Sequence, residues 1–230
     1  MMLTSRTVTS RLVATTVPPE PAGAVLVLHG GAARRAGMAV SPTQLSVLRM
    51  IPIAERIAHA GQRKLAVYRL LNSARGWDNR HTPVDDVHWA LGQLRKEFAE
   101  TLPICLVGHS LGGRAALLAA DLPPVHSAVA LAPWLYPTDG DLDLSGRKIL
   151  IVHGAQDRIA KPKNSAAVAR SLGRTAQVSY VRIAGGKHAM LKHGRVFDRL
   201  AADFSVATLL GGAADGLVGR ALAGEQWIDA

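Results

Sequence analysis

Ser110 stands in Gly108-His109-Ser110-Leu111-Gly112, a Gly-x-Ser-x-Gly run. It follows the apolar stretch Ile104-Cys105-Leu106-Val107 and precedes Arg114-Ala115-Ala116-Leu117-Leu118-Ala119-Ala120, a segment of good helix formers. A serine at such a strand-to-helix junction is placed for nucleophilic chemistry. The abrupt turn forces it into a strained backbone conformation at the apex. Residues two before and two after it crowd together there, and only a hydrogen side chain fits comfortably. The helix that begins at Leu111 aims its dipole and free N–H groups at the point where negative charge develops during attack on a carbonyl. A hydroxyl is a weak nucleophile at neutral pH, so the chemistry needs a base, and the base needs a third group to hold it. A glycine-rich turn of this kind has two other readings: tight packing alone, or a phosphate cradle. The cradle wants Gly-x-x-x-x-Gly-Lys-Ser/Thr or Gly-x-Gly-x-x-Gly, and neither is matched.

The elements that would position these groups follow from hydropathy. Strand-like runs fall at 6–16, 24–29, 64–69, 104–109, 128–132, 148–153 and 177–183, alternating with helical patterns at 48–60, 84–100, 111–121, 163–172 and 196–209. Continuous apolar runs such as Val25-Leu26-Val27-Leu28 and Ile149-Leu150-Ile151-Val152 predict strands covered on both faces, as in a parallel sheet with crossover helices. In the second helix Val87, Ala90, Leu91, Leu94 and Phe98 form one apolar stripe, and Thr82-Pro83 with Asp85-Asp86 predicts its capped start. Pro18-Pro19-Glu20-Pro21 reads as a turn between the first two strands. The 15 residues between Ala132 and Lys148 leave no room for a lid domain, which predicts an open site. One domain over residues 1–230 is expected, with its core about 24–210; the Gly/Ala-rich tail 211–230, with Trp227, either docks as a short extra helix or frays.

With the turn in this context, the chain resembles the α/β-hydrolase family over roughly residues 25–210. The resemblance implies an α/β fold: a mostly parallel, doubly wound sheet of about seven strands with helices on both faces and no separate lid. It also implies the chain order Ser, acid, His. His153-Gly154-Ala155-Gln156-Asp157, with Pro162 downstream, resembles the family's acid loop and makes Asp157 the acid; Asp139, Asp141 and Asp143, after the preceding strand, are the alternatives. Ala184-Gly185-Gly186-Lys187-His188 resembles the loop that carries the base, His188, with His193 as competitor and more naturally the start of the last helix. By the same resemblance the oxyanion donors are the backbone N–H groups of Leu111 and of Gly31 in His29-Gly30-Gly31-Ala32, Ala32 being the alternative and His29 a structural residue. The chain departs from the family at Asn72-Ser73-Ala74-Arg75-Gly76-Trp77, where many relatives carry Asp-x-Arg-Gly and this chain keeps Arg-Gly without the leading acid. Trp77, Trp134, Leu135 and Met190 are candidate pocket residues, each with core packing as its alternative.

The implied activity is that of a serine hydrolase cleaving a small-molecule carboxylic ester through an acyl-enzyme on Ser110. An acyltransferase or thioesterase on the same acyl-serine, and a non-catalytic hydrolase-like binding protein, are the alternatives. Composition narrows the rest. Hydrophobic residues make up 48% of the 230, enough for a sizeable core. The formal net charge is +10, but the basic residues are scattered, in small clusters such as Arg34-Arg35 and Lys161-Pro162-Lys163. With aromatics at 4% there is little stacking platform, so no nucleic-acid partner is expected; a positive rim for anionic substrates stays open. The single cysteine, Cys105, excludes an internal disulfide and a cysteine zinc site. Neither His-x-His nor His-Glu-x-x-His occurs, so neither metal nor other cofactor is expected. No signal-peptide pattern and no run of 18 apolar residues is seen, which makes cytoplasmic residence the expectation.

Overall fold

A computed structural model describes residues 9–32, 38–78, 81–99 and 101–230. Its strands are β1 (Arg11–Thr16), β2 (Gly23–Leu28), β3 (Leu65–Leu71), β4 (Ile104–His109), β5 (Val125–Leu131), β6 (Lys148–Gly154), β7 (Gln177–Ile183) and β8 (Trp227–Asp229). They form one sheet in the order β1-β3-β2-β4-β5-β6-β7-β8. β1 runs antiparallel to β3, and every other pairing is parallel. The helices are α1 (Leu45–Leu48), α2 (Met50–Ala60), α3 (Thr82–Glu97), α4 (Leu111–Leu118), α5 (Pro162–Leu172), α6 (Gly194–Leu210) and α7 (Gly216–Leu222).

All six residues of β2 and of β4 are buried, because helices cover both faces of the sheet. Strand alternation sorts the core into two layers. Val25, Val27, Cys105, Val107, Val129, Leu131, Leu150 and Val152 pack with residues of α2 and α6 on one face. Ala24, Leu26, Leu28, Leu106, Ala128, Ala130, Ile149 and Ile151 pack with residues of α3, α4 and α5 on the other. This is the two-sided, mostly parallel α/β sheet that the apolar runs and the resemblance predicted. No lid interrupts it between β5 and β6, where the only regular element is the 3₁₀ turn Pro137–Gly140. The parallel direction sends the loops after β2, β4, β6 and β7 to one edge of the sheet, where ligands of open α/β sheets bind.

Several expectations are corrected in detail. The sheet has eight strands rather than about seven: the tail docks, forming α7 and then β8, which pairs with β7 through Tyr180↔Trp227, Val181↔Ile228 and Arg182↔Asp229. A three-residue strand with one buried side chain, Ile228, carries no periodic signal. The helix read over 48–60 is two pieces joined at Arg49. Thr82 is the first helical residue of α3 and not its cap; Asp78 accepts hydrogen bonds from the Thr82 N–H at 2.8 Å and from its hydroxyl. The pair Arg34-Arg35 and the start of the first strand, 6–8, lie outside the described residues. Among the described residues, no helix is long and apolar enough to cross a membrane. Cys105 is fully buried, and burial pushes its thiol up to about 11, as suits an unreactive core residue.

Candidate active site

Ser110 sits between β4 and α4 with φ 56° and ψ −117°, a conformation that side chains with a Cβ rarely adopt. Its N–H donates to the Leu131 carbonyl at 3.0 Å, and its own carbonyl accepts from Arg114 and Trp134, so the apex is braced from the neighbouring strand and from the helix. The flanking glycines are a steric requirement. A Cβ on Gly108 would collide with the Gly112 carbonyl, and one on Gly112 with the Leu28 carbonyl. Gly30 brings the loop after β2 against the apex: a Cβ there would lie 2.8 Å from the His109 carbonyl oxygen and 2.9 Å from Ser110 Cβ. Gly31 follows at φ +125°, with Ser46 Oγ 2.8 Å from where its Cβ would stand. Ala32 is exposed beyond it. His29 holds this loop, donating from Nδ1 to the Gly30 carbonyl at 2.7 Å and accepting the Asn72 N–H on Nε2 at 3.2 Å. Burial holds its pKa below the usual imidazole value, which suits this neutral, structural ring.

Ser110, His188 and Asp157, far apart in the chain, meet at the sheet edge. His188 Nε2 is 3.0 Å from Ser110 Oγ, and His188 Nδ1 is 2.8 Å from Asp157 Oδ2. The carboxylate accepts only, so the proton of the neutral ring rests on Nδ1 and leaves the Nε2 lone pair for the Ser110 hydroxyl. Asp157 Oδ1 accepts the N–H groups of Ile159 at 2.8 Å and Ala160 at 2.9 Å. Burial alone would raise the Asp157 pKa, but the hydrogen bonds from His153 and His188 outweigh it and hold the group well below the usual carboxylate range. The two loops are tied through their backbones, Ala155 N–H to Ile183 O and Gln156 N–H to Gly186 O, both at 2.9 Å. A Cβ on Gly154 would strike Gly186, so the glycines of both loops permit this approach.

His153 was not singled out from the sequence as part of the site, although it stands four residues before Asp157. It is fully buried, and its Nε2 lies 3.1 Å from Asp157 Oδ2 and 3.2 Å from the Ala160 carbonyl. Both neighbours accept, so Nε2 donates, while Nδ1 lies 2.7 Å from Ser165 Oγ on α5. Asp157 thus receives hydrogen bonds from two imidazoles. His109 supports the other end of the relay: its Nε2–H donates to the His188 carbonyl at 2.9 Å, and the two rings lie 5.0 Å apart. Burial, reinforced by the neighbouring His188, takes the His109 pKa down to about 3, so this ring is neutral.

None of the alternative acids is bonded to His188. Asp139 is held by two Arg114 bonds of 2.9 Å, and the Arg114 guanidinium lies 4.2 Å from the Trp77 ring centre and 4.8 Å from that of Tyr136. Asp143 is exposed and bonded to Ser145, and Asp141 is exposed. His193 stands just before α6, with its Nε2 beside Gly185 of the loop that carries His188. Among the pocket candidates, Leu135 at 3% exposure and Met190 at 5% are buried in the two core layers, as the packing alternative expects. Trp77 packs partly buried against the core beneath Arg114. Trp134 remains 38% exposed, and its N–H is bonded to the Ser110 carbonyl. In the departing segment after β3, the Ser73 N–H donates to Asp86 of α3 at 2.9 Å.

Residues 92–195 match the model of an α/β-hydrolase family. No curated protein sequence matches the chain. Among solved structures, Est1E from Butyrivibrio proteoclasticus is similar at 17% identity, covering 87% of this chain and 94% of its own, with a TM-score of 0.64. XC6422 from Xanthomonas campestris, described as a serine hydrolase without a lid, is similar at 18% identity, with 86% and 88% covered and a TM-score of 0.59. An esterase from Pyrobaculum calidifontis is similar at 16% identity, with 86% of each chain covered and a TM-score of 0.63. At these identities the likeness is one of fold.

Proposed function

We propose that this chain is a serine hydrolase that cleaves carboxylic esters through an acyl-enzyme on Ser110. The observation that carries the reading is the continuous hydrogen-bonded relay from Ser110 Oγ through His188 to Asp157, set on a strained turn at the start of α4. In this mechanism His188 Nε2 takes the hydroxyl proton as Ser110 Oγ attacks the ester carbonyl. Asp157 stays ionised and stabilises the imidazolium that forms. The oxyanion is received by the N–H groups of Leu111 and Gly31, each such donor being worth about 3 kcal/mol in the transition state. His188 then passes its proton to the departing alkoxide, the C–O bond breaks, and the alcohol leaves. Water, deprotonated by the same imidazole, attacks the acyl-serine and releases the acid.

An ester is favoured over an amide because three of the similar folds carry esterase names. Short acyl chains are favoured because the stretch between β5 and β6 holds only a single 3₁₀ turn that could cover the site. p-Nitrophenyl esters of increasing chain length test both. Acetate and butyrate are expected to turn over fastest, and Ser110→Ala is expected to lose about 10⁴-fold or more in kcat. A rate that stays flat or rises through long chains would overturn the short-chain reading. Failure of a fluorophosphonate to label Ser110 would overturn the hydrolase reading itself.

A further inference from the structure

Beside the relay lies a groove of about 730 Å³, walled by Asp157, Arg158 and Ile159 of one loop and by Lys187, His188 and Ala189 of the other. Each triad residue of these loops has a cation as its chain neighbour, Asp157-Arg158 and Lys187-His188, and both cations are exposed. Neither forms an ion pair among the described residues. The one carboxylate in the wall, Asp157, is 7% exposed and turned to two imidazoles and two backbone N–H groups, and it forms no ion pair with either cation. Arg114, the cation on the other side of Ser110, is the opposite case, sealed against Asp139. Because the two loops are bonded backbone to backbone, Arg158 and Lys187 border one fixed opening, with Ile159, 59% exposed, as its apolar patch. Two further cavities, of about 430 Å³ between α6 and α7 and about 360 Å³ over β7 and β8, contain no member of the relay.

We infer that this groove receives the alcohol half of the ester, and that the alcohol carries an anionic group, a carboxylate or a phosphate, bound between Arg158 and Lys187. The inference rests on the acyl-enzyme reading, and direction follows from the chemistry. The imidazole that takes the serine proton must return it to the departing alcohol oxygen, so the alcohol half lies on the His188 side of the scissile bond. The groove has that imidazole in its wall. The exposed charge there is positive and unpaired among the described residues, which speeds the encounter with anions and favours their binding.

The test compares acetates of one phenol series: 4-hydroxyphenylacetate (anionic), 4-hydroxyphenylacetamide (neutral) and 4-hydroxybenzylphosphonate (anionic). The methylene insulates the leaving oxygen, so its reactivity is nearly constant. Each exposed charge pair is worth a few-fold in binding, so kcat/KM for the anionic acetates is expected to exceed that for the neutral one by about tenfold. The larger gain of the two identifies which anion the groove prefers. The ratio is expected to fall towards unity in Arg158→Gln/Lys187→Gln and in 0.5 M salt (about a 4 Å screening length). The monophenyl ester of succinate, with its charge on the acyl side, is expected to show no such gain. Equal rates for carboxylate and carboxamide acetates, or a ratio that survives the double substitution, would overturn the inference and leave the esterase reading standing. Absence of turnover on every acetate, with Ser110 unlabelled by fluorophosphonate, would remove the esterase reading and this inference with it.

Discussion

On the nucleophile side of the site, Ser110 and the loop at residues 29–31 are held by exclusion of atoms: Gly108, Gly112 and Gly30 pack where a Cβ has no room. On the acid–base side, His188 and Asp157 are held by hydrogen bonds between side chains, with His153, Ser165 and two backbone N–H groups arranged around one carboxylate. Steric positioning is local and all-or-none, because an added methyl either fits or displaces the backbone. Hydrogen-bonded positioning is distributed, so losing one partner weakens it by degrees. The contrast predicts that variants of the first kind lose fold and activity together, and variants of the second lose activity from an intact fold.

Asp157→Asn is the sharpest test of the acid–base half. It removes the charge and lets the His188 tautomer reverse, and kcat is expected to fall by about 10⁴-fold with little change in KM. Steady-state kinetics alongside circular dichroism would check it; a loss below tenfold would mean that Asp157 does not orient the base. Gly108→Ala tests the steric half. It is expected to cost about 3 kcal/mol or more in urea unfolding and to abolish turnover in the same step. A folded, fully active Gly108→Ala protein would erase the distinction between the halves.

His153→Phe keeps the ring volume and removes the donor to Asp157. A loss of about 10- to 100-fold in kcat is expected, by analogy with the outer partners of metal-bound histidines. His153→Gln, whose amide can stand where Nε2 stood, is expected to recover part of it; equal activity in the two variants would make His153 a packing residue only. The smallest effect is on stability against pH. A carboxylate whose folded pKa is depressed contributes stability that is complete above its unfolded value, about 3.9, and is lost as pH falls through the folded value. The unfolding free energies of the parent and Asp157→Asn are therefore expected to differ at pH 6 and to converge below about pH 4. A constant gap from pH 6 to pH 3 would show that Asp157 is not held ionised.

The same contrast explains what was legible from the chain. The turn around Ser110 is written in five adjacent residues, because its geometry depends on contacts among them and with the next strand. The two-sided sheet is written in runs such as Val25-Leu26-Val27-Leu28, whose alternate residues go to opposite core layers. Asp157 and His188 were reached only through the family's chain order, since nothing near either residue announces a partner 31 positions away. For Leu135 and Met190 the sequence leaves pocket lining and packing both open, because a loop position after a strand does not report burial.

The amino-acid sequence by itself determined the alternation of strands and helices, the parallel sheet and the conformation at Ser110, all of which arise from backbone sterics and short-range hydropathy. Only the tertiary structure decided that Asp139 serves Arg114 while Asp157 serves two imidazoles, that the last residues form an eighth strand, and that Arg158 and Lys187 share one groove. These depend on which loops the parallel strands deliver to the same edge, a relation between distant segments that no local pattern encodes.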